Sequence, residues 1–133
     1  MKNLHNKLLV LIMFVISSIV FSQSQKVFSS GDIYWGAYDL SKNDIVGSLE
    51  YYAKVTQIKL IDNDYFIYAI DRKGKNFRSK FSKINSNVDN KYIDETGTEY
   101  LIESSGNTLY ILCLKPLPNI NDKVMILKIS NIN

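Results

Sequence analysis

From Ile33 onward, apolar and polar positions alternate in short runs. Ile33 to Leu40 (IYWGAYDL), Tyr51 to Ile61, Tyr65 to Arg72 and Asn76 to Ile84 are rich in Ile, Val, Tyr, Phe and Thr, and Gly, Asn, Asp and Ser separate them. Such residues suit a pleated, half-buried surface, so the runs read as strands. In Asn76 to Ile84, Phe77, Ser79 and Phe81 fall on one face while Arg78 and Lys80 fall on the other, the two-residue period of a strand. Tyr92-Ile93, Thr98 to Glu103, Thr108 to Leu114 and Lys123 to Ser130 continue the series.

The separators carry their own chemistry. Asp62-Asn63-Asp64 suits a tight turn, because Asn and Asp tolerate left-handed backbone and bond their own main chain. Arg72-Lys73-Gly74-Lys75 and Asp94-Glu95-Thr96-Gly97 place a glycine where a left-handed residue is needed, and Ser104-Ser105-Gly106-Asn107 joins a further hairpin. Ser41 to Leu49 is polar and interrupted by Gly47, and reads as a loop. Pro116 and Pro118 interrupt the ladder, since proline offers no N–H.

The pattern predicts an all-β domain, a single antiparallel meander of about eight strands at the 8–12-residue spacing of barrels and sandwiches. Short connections favour neighbour-to-neighbour pairing. A small up-and-down barrel fits best, because closure removes exposed edges. A two-sheet β-sandwich is the alternative, and periodicity does not separate the two.

The N-terminus is of a different kind. Met1 to Gln25 has a short basic start (Lys2, Lys7), an apolar run from Leu8 to Phe21, then small and polar residues. This is the layout of a secretory signal peptide. The run is shorter than the ~20 residues of a membrane-spanning helix. Val20-Phe21-Ser22 suits cleavage after Ser22, which leaves a single domain over residues 23–133, exported to the periplasm or the cell exterior. No later stretch is long and apolar enough to span a membrane.

Export changes the reading of charge. The chain has 16 Lys and Arg against 13 Asp and Glu, and Lys2 and Lys7 leave with the signal segment, so the mature domain is close to neutral. Whole-protein attraction to nucleic acid or to a membrane is not indicated. Cys113 is the single cysteine, so no intramolecular disulfide forms. It lies in the apolar run Leu109 to Leu114 and reads as a buried thiol. The single histidine is His5, inside the removed segment. The mature domain therefore has no Ser-His-Asp or Cys-His arrangement and no histidine-containing zinc site. No P-loop or dinucleotide fingerprint is present, and no catalytic residue, metal ligand or cofactor is expected.

Carboxylates are the remaining candidates for chemistry. Asp62 and Asp64 lack the glycine and distal glutamate of a calcium loop. Asp94 with Glu95, and Glu99 with Glu103, sit in a turn or alternate along one strand, whereas glycoside hydrolysis needs two carboxylates across a cleft.

Two surface features point to binding. Arg72, Lys73, Lys75, Arg78, Lys80 and Lys83 fall close together with no acid between Lys73 and Lys83. Arg72, Lys73, Arg78 and Lys80 are the candidate patch for an anionic partner such as acidic polysaccharide, lipid A phosphates or a protein. The plain alternative is a solvated strand face whose lysines discourage edge pairing. Nine tyrosines either fill the core or form platforms for a ligand. If a cavity exists, Trp35, Tyr38, Phe66 and Tyr68 are the candidate lining.

Gly31-Asp32-Ile33-Tyr34-Trp35-Gly36, an aromatic opening to the first strand, and the meander that runs to Ser130 resemble the small lipocalin-like (calycin-type) β-barrels exported by Gram-negative bacteria. The resemblance implies a closed barrel and a hydrophobic ligand, and it assigns no binding residue. The expected function is non-catalytic binding of a small ligand or of a cell-envelope partner. The alternative is a structural or inhibitory protein–protein module of the envelope, and a carboxylate hydrolase is the least favoured reading.

Overall fold

The computed structural model describes residues 25–133, except for the side chain of Asn121. The expected signal peptide, residues 1–22, and its cleavage near Ser22 lie outside the described residues. The described chain is all β: β1 (Gln25–Phe28), β2 (Gly31–Asp39), β3 (Asp44–Ile61), β4 (Asp64–Asp71), β5 (Asn76–Lys83), β6 (Lys91–Ile93), β7 (Glu99–Ser105), β8 (Thr108–Leu117) and β9 (Ile120–Ser130). From β2 to β9 each strand pairs antiparallel with the next, and β9 returns to β2. The meander therefore closes into an eight-stranded barrel and does not split into two sheets. β1 lies in line with β2 along the same edge of β3, pairing with Ile58–Ile61 while β2 pairs with residues 44–55.

Local chemistry explains most turns. Asp62 and Asn63 adopt φ of 50° and 71°, the doubly left-handed turn whose twist matches a two-residue hairpin. The turns after β4 and β6 are built alike. Asp71 and Asp94 each accept the backbone N–H groups two and four residues ahead, at 2.9–3.0 Å. Gly74 and Gly97 supply the left-handed residue, at φ 79° and 88°.

Inside and outside alternate along each strand. In β4, Ile67 and Ala69 are buried in the core and Tyr65 packs against it, so Phe66 and Tyr68 face outward. In β8, Leu109, Ile111 and Cys113 point inward. Cys113 is buried, as its apolar surroundings predict.

Strand boundaries differ from expectation where pairing overrides local composition. Most of the stretch Ser41 to Leu49 is strand, because β2 holds Val46, Ile45 and Asp44 opposite Ala37, Tyr38 and Asp39. Gly47, at φ 69°, absorbs the irregularity between Glu50 and Val46. Pro116 stays within β8 opposite Val124, with register shifts on both sides, as proline in a sheet requires. At Gly36 the outer face of β2 is occupied by a β3 side chain, which would have to shift to admit a Cβ. A Cβ there would lie 2.5 Å from the Leu49 Cδ2, which crosses the outer face at that point.

One junction of the barrel is short. β5 pairs with β6 only through Ser82–Ile93 and Lys83–Tyr92. The chain then turns back at Asp94, and residues 76–81 of β5 have no strand on that side among the described residues.

The assignment of faces is testable by paired truncations. Ile58→Ala, at a site 1% exposed, should cost about 2–5 kcal/mol in urea unfolding. Phe66→Ala, on the outer face, should cost less than about 1.5 kcal/mol.

Candidate functional site

The short β5–β6 junction opens the barrel wall onto a cavity of about 580 Å³. Ile33, Ile67, Ile111 and Leu127 form its floor, Trp35, Tyr52 and Phe77 surround its mouth, and Asp94, Glu95 and Thr96 border it on the far side. Phe81 and Tyr100 meet edge to face within it, with ring centroids 5.0 Å apart. An apolar hollow of this size with a few polar groups at the rim is the usual form of a small-molecule site.

Sequence places these groups by two devices. The first is a bulge in β3. The β2–β3 register steps from Ile33–Ala53 to Tyr34–Tyr51 and leaves Tyr52 without a partner in β2. A bulged residue loses strict alternation, and Tyr52 reaches the mouth beside Phe77, with ring centroids 5.9 Å apart. Trp35 and Tyr52 are 43% and 44% exposed, so two large aromatic faces stand open to solvent at the entrance.

The second device is the turn after β6. One Asp94 oxygen, Oδ1, accepts from the Thr96 N–H and hydroxyl at 2.9 and 2.6 Å and from the Thr98 N–H at 3.0 Å. The other, Oδ2, accepts from the Tyr100 hydroxyl at 2.8 Å. Burial alone would raise the Asp94 carboxyl, but the bonds from Thr96, Tyr100 and Thr98 outweigh it and hold the carboxyl below its ordinary value. The Tyr100 phenol is pushed up, by burial first and then by its bond to Asp94. The turn is thus tied to the cavity floor through Tyr100, and it is fixed as one wall of the opening.

The candidate lining residues are placed as follows. Trp35 lines the cavity. Tyr38 has the opposite parity in β2, points away from the interior and donates its hydroxyl to the Asn43 side chain. Phe66 and Tyr68 lie on the outer face of β4, where the ammonium groups of Lys80 and Lys59 sit 5.5 and 5.8 Å from their ring centroids. The structure therefore brings Trp35 together with Tyr52, Phe77 and Tyr100, and does not bring it together with Tyr38, Phe66 or Tyr68. The parity of Trp35 against Tyr38 was visible in the strand period. The bulge that brings in Tyr52 left no local mark.

The basic candidates lie along one hairpin. Arg72 and Lys73 occupy its exposed tip. Arg78 reaches from the outer face of β5 across the opening to Glu95, with Nη2–Oε1 at 2.7 Å. Lys80 lies over Phe66.

The remaining carboxylates are dispersed. Glu99 pairs with Lys91 at 2.9 Å and Glu103 accepts from Asn90 at 3.2 Å. Asp39 is buried at 5% exposure and caps the β2–β3 turn. Bonds from the Ser41 hydroxyl and the Lys42 and Ser41 N–H groups, with the charge of Lys42, lower its carboxyl against a smaller opposing effect of burial. Among the described residues, no group of three or more acidic, cysteine or histidine side chains is placed to hold a metal ion, and no helix is long and apolar enough to cross a membrane.

No protein-family model, curated protein or solved structure matches the chain.

The Asp94 network sets a pH dependence. Its folded carboxyl titrates below the ordinary value of 3.8, so its stabilisation is complete above that value and is lost as pH falls through the folded value. Asp94→Asn should therefore cost about 1 kcal/mol near neutrality. The difference from the parent should shrink as pH falls below 3.8 and through the lowered folded value, as read by urea unfolding over acidic pH.

Proposed function

We propose that this protein is an exported, non-catalytic binding protein that holds an apolar ligand in the cavity behind the β5–β6 opening. One observation carries the reading: an apolar hollow of about 580 Å³ whose mouth is ringed by Trp35, Tyr52 and Phe77. Exposed aromatic faces and unfilled apolar volume cost hydration free energy in the free protein, and that cost is recovered when a ligand covers them. The closed eight-stranded meander is also the architecture of the exported lipocalin-like barrels that the first strand resembles. The segment before residue 23 directs the chain to the periplasm or beyond.

Binding is favoured over bond-making by the state of the acids. A general acid working near neutrality needs a raised carboxyl pKa. Of the two carboxylates at the cavity rim, Glu95 is paired with Arg78, and Asp94 is shifted down with both of its oxygens taken up by the turn and by Tyr100. Asp94 serves as a structural clamp.

Trp35 is the single tryptophan, so the site reports on itself. N-Phenyl-1-naphthylamine, an uncharged apolar probe, should quench Trp35 emission saturably and gain emission by energy transfer. Ser79 shares the inward parity of Phe77 and Phe81 and lines the cavity, so Ser79→Phe should fill the volume. That variant should fold normally and bind the probe at least about tenfold more weakly, a loss of ~1.4 kcal/mol. Equal binding by parent and variant would place the ligand elsewhere.

A further inference from the structure

The opening that exposes the cavity also leaves a strand edge without a partner. In an antiparallel ladder, the N–H and C=O of alternate residues point to the same neighbour. Ile84 N–H donates to the Lys91 carbonyl at 3.1 Å, so Ile84 and Ser82 turn their backbone groups toward β6. The same alternation turns those of Lys80 and Arg78 to that side. There β6 has already ended, and the next chain is the turn at Asp94 to Gly97. Phe77, Ser79 and Phe81 direct theirs to β4, where they stand opposite Ala69, Ile67 and Tyr65. Arg78 and Lys80 border the cavity even though their side chains lie on the outer face. Lys80 presents main chain to the opening, and Arg78 presents main chain together with the side chain that crosses to Glu95.

We propose that the ligand of this cavity is an extended peptide segment that alternates apolar with acidic side chains, adds as a strand to the free edge of β5 at Arg78–Lys80 and fills the hollow with its apolar face. The proposal rests on the binding reading above and names the ligand class. Strand addition supplies affinity through main-chain hydrogen bonds and specificity through alternate side chains. Here the two faces of an added strand would meet opposite environments. Its inward side chains enter the apolar hollow beside Phe77 and Phe81. Its outward side chains stand beside Arg78 and Lys80, in a stretch with no acid between Lys73 and Lys83. A basic edge repels a second copy of itself and admits a strand of opposite charge, which is selection by repulsion as much as by attraction.

The Arg78–Glu95 ion pair fits this exchange. It spans the opening, and its side chains are 47% and 57% exposed, so it is weak. A carboxylate on the incoming strand replaces Glu95 as the partner of Arg78 without leaving a buried charge unpaired.

The test uses an acetylated, amidated octapeptide that alternates glutamate with leucine, with Trp35 emission and amide hydrogen exchange as readouts. The peptide should bind saturably and slow exchange at the Arg78 and Lys80 amides by about tenfold or more. N-Methylation of alternate peptide amides should weaken binding at least about tenfold. The double variant Arg78→Glu, Lys80→Glu should lose the acidic peptide and gain its lysine–leucine counterpart. Equal binding of the N-methylated peptide, or unchanged exchange at Arg78 and Lys80, overturns strand addition. If the acidic peptide fails while N-phenyl-1-naphthylamine still quenches Trp35, the peptide is wrong and the cavity reading stands. If both fail, the cavity reading falls and this proposal falls with it.

Discussion

The pairing of β2 with β9 is the constraint from which the rest follows. Eight consecutive residue pairs, from Asp32–Ser130 to Asp39–Lys123, join the two strands without a shift of register. They connect the beginning of the described chain to its end, and so turn a meander into a ring. A slip of one residue would move Ile33 and Trp35 to the outer face and bring Tyr34 and Gly36 inside. With the register held, Ile33, Ile129 and Leu109 meet in the core. Once that seam is closed, every other strand has a defined inside. Irregularities elsewhere are then confined: the bulges of β3 and the early end of β6 alter one patch of wall without undoing the barrel.

That patch is where order in the turns and disorder in the ladder meet. The turns after β4 and β6 share one design, an aspartate that binds the main chain ahead of it and a left-handed glycine. They differ in two bonds, for Asp94 also accepts from the Thr96 hydroxyl where the turn after β4 has Lys73. Asp71 makes only local contacts among its hydrogen bonds, whereas Asp94 also receives the Tyr100 hydroxyl from inside the barrel. The turn after β6 is thereby bound to the core and held away from β5. The gap follows from the short length of β6, and its shape from Asp94 and Tyr100. An aromatic mouth, an unpaired strand edge and a weak ion pair all lie on this one interruption.

Much of this was legible in the chain because it is local. Strand identity followed from β-branched and aromatic runs, and the turn at Asp62-Asn63 from the tolerance of both residues for left-handed backbone. The turn at Asp94 to Gly97 followed from its glycine, and the buried state of Cys113 from its neighbours. Features set by a partner strand were hidden. Ser41 to Leu49 reads as loop from its polar start and Gly47, and its part from Asp44 onward is strand because β2 extends beside it. Tyr65 to Ile70 is apolar at both parities, so the run does not show which face is interior, and Phe66 and Tyr68 lie outside for reasons of register with β3 and β5. Tyr52 joins the site through a bulge that exists only in the β2–β3 pairing. Of the expected lining, Trp35 alone borders the candidate cavity; that it opposes Tyr34 and Tyr38 in parity was legible, and that its side is the inner one was not.

Cys113 lies inside the ring at 8% exposure, directly across the ladder from Tyr100, and no other sulfhydryl exists in the chain. Alkylating reagents in water reach such a sulfur only when the β7–β8 wall parts from its interior packing. The rate of its modification is therefore a clock for breathing of the barrel, one that requires no introduced label. It separates transient opening from the proposed ligand entry through the gap beside β5, because entry there would require no strand to leave its neighbour.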